Sequence, residues 1–256
     1  MITSHRVGRN GLAPFLAADR NASTAFLGAT TTLIADLHNV FGDRLRSVVA
    51  YGSNLDNSSR ARLTCLALVS SLSIGDLEAC ARAAGRWHRD GLATPLILTE
   101  TEFRSSLDAF PLEYGEIIRA HRRLFGPDPF DGLGIAREDL RRACETQIKS
   151  HLVHLREGFL EAAGRPAAIG TLVARSAPAF TALLRHVAWL SGLDASSRDE
   201  ATREGARVVG INERLIADMM ALEQGGSIPT TDPARLFSEY LQAVEQLARA
   251  IDAWRY

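Results

Sequence analysis

Gly52 and Ser53 end the apolar run Val48-Val49-Ala50-Tyr51 and are the residues whose type and order point most directly to chemistry. A strand that ends in Gly-Ser sets a residue without a Cβ where backbone must approach a ligand closely, and follows it with a hydroxyl donor. Exposed N–H groups at such a turn cradle an anion, and triphosphate oxygens suit them well. Standing alone, the dipeptide is also ordinary turn chemistry.

A second constellation lies further along. Arg141, Glu145 and Lys149 follow i, i+4 and i+8, with Arg156 and Glu157 two turns on. One reading is a solvated helix face laced with ion pairs, each contributing about 0.2–0.5 kcal/mol. The other makes Arg141 and Lys149 ligands of a phosphate. Gln147, His151 and His154 lie on an adjoining face. The two histidines have no nearby Cys or acid to complete a tetrahedral zinc set, so they read as surface or partner-facing residues. His121 sits in a basic cluster, Arg119-Ala120-His121-Arg122-Arg123, and faces a phosphate or ends a polar segment. Asp56 reads as a turn residue, and Asp76 with Glu78 as the start of a helix favoured by its dipole. No P-loop, Gly-x-Gly-x-x-Gly, Gly-x-Ser-x-Gly or His-Glu-x-x-His motif occurs.

The elements that hold these residues follow from hydrophobic period. Phe26, Leu33, Ile34, Leu37 and Phe41 recur at helical spacing over 22–41. Strands are predicted over 46–51, 63–69 and 95–98, a helix over 76–89, a helical turn over 101–107 and a fourth extended segment over 110–118. Gly126-Pro127-Asp128-Pro129 breaks the chain. Beyond it the pattern is purely helical, over 137–163, 167–190, 197–222 and 233–254. The expected fold class is α/β (α+β): a loose arm over 1–21, a small mixed-sheet domain over 22–130 and a helical bundle over 131–256.

Composition narrows the function classes. The 256 residues carry a net charge of -1, so no general basic field exists to hold nucleic acid or an anionic membrane. Of 29 basic residues only Lys149 is a lysine. Cys65, Cys80 and Cys144 are odd in number and widely spaced, which reads as three small buried hydrophobes. Met1 to Arg20 lacks the apolar core of a signal peptide, and no run of about 18 apolar residues occurs. The expectation is a cytoplasmic protein.

Helix, strand ending in Gly52-Ser53, polar loop, second strand, helix: this order resembles the nucleotidyltransferase superfamily that includes DNA polymerase β and kanamycin nucleotidyltransferase. Arg122-Arg123-Leu124-Phe125-Gly126 is similar to a segment found in its bacterial members, and the resemblance spans roughly residues 22–190. It implies a phosphate-gripping turn at Gly52 and Ser53, paired acids on the following strand, a third acid on a later strand, and a helical bundle after the catalytic domain. Laid over the acid-bearing strand, Leu63 and Cys65 fall where the paired acids belong. Arg60 to Ser73 contains no Asp or Glu. That chemistry uses Mg²⁺ held by carboxylates, and a lone thiolate is a poor match for so hard a cation.

Two functions follow from the resemblance. The first is a degenerate member that binds a nucleotide or other small phosphate ligand, or a partner, without catalysis. The second is an active nucleotidyltransferase moving a nucleoside monophosphate from a nucleoside triphosphate to a small hydroxyl acceptor, with Mg²⁺ and ATP as its cofactors. In that case Glu113 and Glu116 are the acids recruited. A homodimer through the amphipathic helical half is the expected assembly.

Overall fold

A computed structural model describes residues 24–52, 62–193, 195, 197–228 and 232–254. The predicted arm, 1–21, lies outside them. The chain forms two compact units, Met1–Gly134 and Ile135–Tyr256.

The first unit begins with α1 (Thr24–Phe41) and a 3₁₀ turn, Gly42–Arg44. Then come β1 (Leu45–Tyr51), β2 (Thr64–Val69), α2 (Ile74–Arg89) and β3 (Leu96–Thr99). Two short helices, α3 (Glu100–Ser105) and α4 (Pro111–Arg119), precede β4 (His121–Phe125). The sheet order is β3-β2-β1-β4. β1 is antiparallel to β2 and β4, whereas β2 and β3 run parallel, joined by α2. A parallel pair needs such a crossover.

One face of the sheet is covered by α1 and α2. Leu33, Leu37, Cys80 and Trp87 pack there with Val48, Ala50, Cys65, Ala67 and Leu124. Trp87 donates its Nε1–H to Asp36 Oδ2 at 2.8 Å, so its one polar atom is satisfied in the core. α2 starts with a capping box in which Ser73 and Asp76 bond reciprocally. Arg44 grips Asp76 with both terminal nitrogens, at 2.7 and 2.8 Å. Together these bonds hold the Asp76 carboxyl far below the usual carboxylate range.

The alternate residues Ser47, Val49, Leu66 and Leu68 point to the other face, and they are buried too. α3 packs against β2 and β3 there and contributes Phe103, which is 1% exposed. The segment expected to be extended, 110–118, is the helix α4, and the fourth strand is His121–Phe125. Pro111 at the first helical position needs no N–H partner, and Tyr114 with Ile117 falls on one buried side.

Among the described residues the second unit forms five helices: α5 (Arg137–Ala162), α6 (Pro166–Leu190), α7 (Arg198–Val209), α8 (Glu213–Glu223) and α9 (Pro233–Ala253). The single helix expected over 197–222 is two, because Gly210 ends α7 and the Asn212 side chain caps α8. α6 touches all four others. Its length and composition suffice to cross a membrane, with a mean hydropathy of 1.4 over 18 residues. Its apolar residues, among them Val173, Phe180, Leu184 and Val187, are packed inside the bundle. Gly205 lets α7 close on α6, since a Cβ there would lie 1.8 Å from the Leu184 carbonyl oxygen.

Candidate functional site

The site begins at the end of β1. Gly52 has φ +91, a region that L side chains rarely enter, and a Cβ on it would lie 3.0 Å from Thr64 Oγ1. Thr64 opens β2 directly opposite Tyr51 and donates its hydroxyl to the Tyr51 carbonyl at 2.6 Å. Thr64 therefore crowds Gly52, and only glycine fits that position without strain. Ser53 and Asp56 lie outside the described residues.

Across β1 from Thr64 stands His121, which also pairs with Tyr51. Its Nδ1 lies 3.1 Å from the Ile118 carbonyl and its Nε2 3.2 Å from Asp128 Oδ2. Phe130 donates its backbone N–H to the other oxygen of Asp128 at 3.0 Å. Partial burial opposes ionisation of Asp128, but the Phe130 and His121 bonds and the nearby Arg123 charge outweigh it. The carboxyl lies below its usual range. Burial likewise raises the Tyr51 hydroxyl, helped by Cys65 and Tyr114.

His121 also ends a chain of rings. Phe110 meets Tyr114 at 5.6 Å, Tyr114 stacks on Phe103 at 4.7 Å, Phe103 meets Phe130 at 5.3 Å, and Phe130 meets His121 edge-on at 4.7 Å. Val49 and Leu66 are buried on the sheet face away from α1 and α2. Neither the ring chain nor the His121–Asp128 pair was visible as a motif. The one local cue is Asp128 itself, held rigid between Pro127 and Pro129.

The structure corrects the strand register. Leu63 and Cys65, expected at the acid positions, point into the core beneath α1 and α2. Burial there pushes the Cys65 thiol up to about 12, so it stays protonated. The residues of β2 on the same face as Tyr51 are Thr64 and Leu66. Neither register supplies a carboxylate. β1, β2, β3 and β4 contain no Asp or Glu anywhere.

The expected catalytic acids sit elsewhere. Glu113 lies in the first turn of α4, exposed, and Glu116 lies one turn on, half-buried; neither is on a strand. Among the described residues no group of three His, Cys, Asp or Glu side chains is arranged to hold a metal ion. Magnesium is bound by carboxylates together with phosphate oxygens and water. A threonine hydroxyl already committed to a carbonyl and a leucine methyl do not fit it.

Arg141 and Lys149 belong to α5 in the second unit. Both bond to Glu145, at 2.9 and 2.5 Å, and Lys149 also reaches Asp252 at 3.0 Å. Lys149 and then Arg141 hold the Glu145 carboxyl below its usual range, and Glu145 and Asp252 raise Lys149. The ion-pair reading of this face describes these contacts. His151 and His154 part company: His151 Nε2 lies 2.7 Å from the Tyr240 hydroxyl, whereas His154 pairs with Glu157 at 3.0 Å. Burial drives the His151 imidazole down to about 4, so it is neutral near pH 7.

No protein-family model matches this chain, and no curated protein matches it. Eight chains of known structure do match. One is the spectinomycin adenyltransferase AAD(9) from Enterococcus faecialis, whose structure was determined with ATP and spectinomycin. The TM-score is 0.52 at 10% identity, over 88% of this chain and 99% of that one. A mixed four-stranded sheet followed by a helical unit is thus a nucleotidyltransferase-like fold. At that identity the likeness speaks to fold alone.

Proposed function

We propose that this protein binds a nucleotide or other phosphate ligand at the Gly52 turn and does not carry out metal-dependent nucleotidyl transfer. The observation that carries this reading is the sheet without a carboxylate. Phosphoryl and nucleotidyl transfer depend on positioning and on charge neutralisation of the reacting phosphate. Where a two-ion site would stand, Leu66 is 1% exposed beside Val49 at 1%, and Thr64 is bonded to backbone. Ligand binding is a smaller demand, one that backbone N–H groups at a Gly-Ser turn are suited to meet.

Calorimetry on the full chain tests this directly. ATP should bind with the same affinity in excess Mg²⁺ or excess EDTA, and Gly52→Ala should weaken it at least tenfold. Transfer of labelled adenylate from ATP to a hydroxyl acceptor should be absent. Binding that requires Mg²⁺, together with transfer abolished by Glu113→Gln or Glu116→Gln, would establish the active-transferase reading in its place. No binding under either condition would leave a protein that kept the fold for contact with a partner.

A further inference from the structure

In the first unit α1 and α2 leave a groove of about 430 Å³, and Gly52 is not among the residues that line it. We propose that this groove docks an acidic segment of a partner protein, gripped by Arg82, Arg86 and Arg89. Steps of four and three residues put the three guanidiniums on one side of α2. At 1.5 Å per residue the row is about 10 Å long, with intervals of roughly 6 and 4.5 Å.

The charges in this row are poorly matched from within. Three guanidiniums line the groove against one carboxylate, Asp36. Asp36 is itself fully engaged: one oxygen pairs with Arg86 and the other accepts the Trp87 Nε1–H at 2.8 Å. Arg82 and Arg89 are exposed and make no hydrogen bond or ion pair with the described residues. Glu78 stands one turn before Arg82 yet forms no bridge to it. The floor is Val40, Ala79, Ala83 and Gly85, short side chains that let an incoming backbone lie close.

The chemistry of the occupant follows from this geometry. A guanidinium fork takes a carboxylate through two parallel N–H bonds, which a lysine cannot do. Carboxylates on alternate residues of an extended segment are about 6.6 Å apart, close to the Arg82–Arg86 step. A net charge of -1 for the whole chain makes this a local site, not part of a broad basic surface. Nucleic acid needs such a surface, because its affinity comes from neutralising many phosphates at once. A single short row favours a protein carboxylate run.

Fluorescence anisotropy with a labelled hexaglutamate peptide and the full chain at low ionic strength tests the assignment. The peptide should bind saturably and more weakly as salt is added. Arg82→Glu with Arg89→Glu should weaken it at least tenfold, while Arg104→Glu with Arg249→Glu, the same change of charge elsewhere, should stay within twofold of native. Both double variants should melt as the native chain does, since none of the four guanidiniums has a partner to lose. Equal binding by the groove variant would overturn the proposal. So would tighter binding of a single-stranded DNA 12-mer or of inorganic triphosphate than of the peptide. The readout is independent of ATP binding at Gly52, so one result can fail without the other.

Discussion

The two faces of the sheet differ in what covers them and agree in what they contain. On one face α1 and α2 bury Val48, Ala50, Cys65 and Ala67 around Leu37 and Trp87. On the other, Val49, Leu66 and Leu68 are buried, and the short helix that carries Phe103 packs against β2 and β3. A face reserved for metal chemistry keeps charged groups near solvent and leaves room for a substrate. Here both faces are packed as core. Ser47 is buried with its hydroxyl donated to the Pro127 carbonyl at 2.6 Å, and Tyr51, Thr64 and His121 stand beside Gly52 at the rim. The comparison teaches that one fold can pack both faces of its sheet as core, with side chains filling the space that a binding site would otherwise occupy.

Matched charge insertions are the sharpest way to break this equivalence. Cys65→Asp and Leu66→Asp put an unpaired carboxylate on opposite faces of the same strand. If both faces are core, each should destabilise by about 3–5 kcal/mol or leave no folded protein, read by denaturant unfolding. An open ring-side face would tolerate Leu66→Asp alone. Truncating one ring anchor per face comes next: Trp87→Ala and Phe103→Ala should each cost roughly 3–5 kcal/mol. Trp87→Ala should be the worse, because it also strips Asp36 of a donor.

Acid titration compares the two units. The folded His151 lies at about 4, below the ordinary 6.5 of an exposed histidine. The unfolded chain therefore binds that proton first, and stability present above pH 6.5 falls as pH drops from there towards 4. Allowing for partial exposure, the loss in the helical unit is on the order of 2 kcal/mol, and His151→Gln should flatten the slope. Asp76 acts later. Its carboxyl is depressed by Arg44 and Ser73, so its contribution is present above the ordinary carboxylate value and disappears only below it. Circular dichroism of the native chain against Asp76→Asn should separate the two phases. The smallest effect belongs to α5: Lys149→Ala, which breaks exposed ion pairs, should leave the unfolding midpoint almost unchanged.

Much of this architecture is legible in the sequence, for physical reasons. α1 and α2 carry clean 3.6-residue patterns, and β1 and β2 are apolar runs bounded by turn residues. The five-helix unit shows its period almost throughout. What the sequence hides is direction. Every residue from Leu63 to Val69 is apolar or small, so the run has no alternation to say which side faces which layer. That is why Leu63 and Cys65 looked like the site positions and Thr64 with Leu66 did not. α4 was hidden by Tyr114, Ile117 and Ile118, which favour strands until Pro111 is read as a helix start. The α7–α8 break was masked because Ile211 and Leu215 continue the helical rhythm past Gly210. The His121–Asp128 pair and its rings depend on tertiary packing that no local pattern encodes.

The most direct test of a sheet without a metal site is to count ions. Mn²⁺ added to the full chain with ATP can be followed by electron paramagnetic resonance, where only free or ATP-bound ion should be seen. The account predicts a titration that overlays the one with ATP alone. A lower concentration of free Mn²⁺ when the protein is present, with the difference lost in Gly52→Ala, would contradict it.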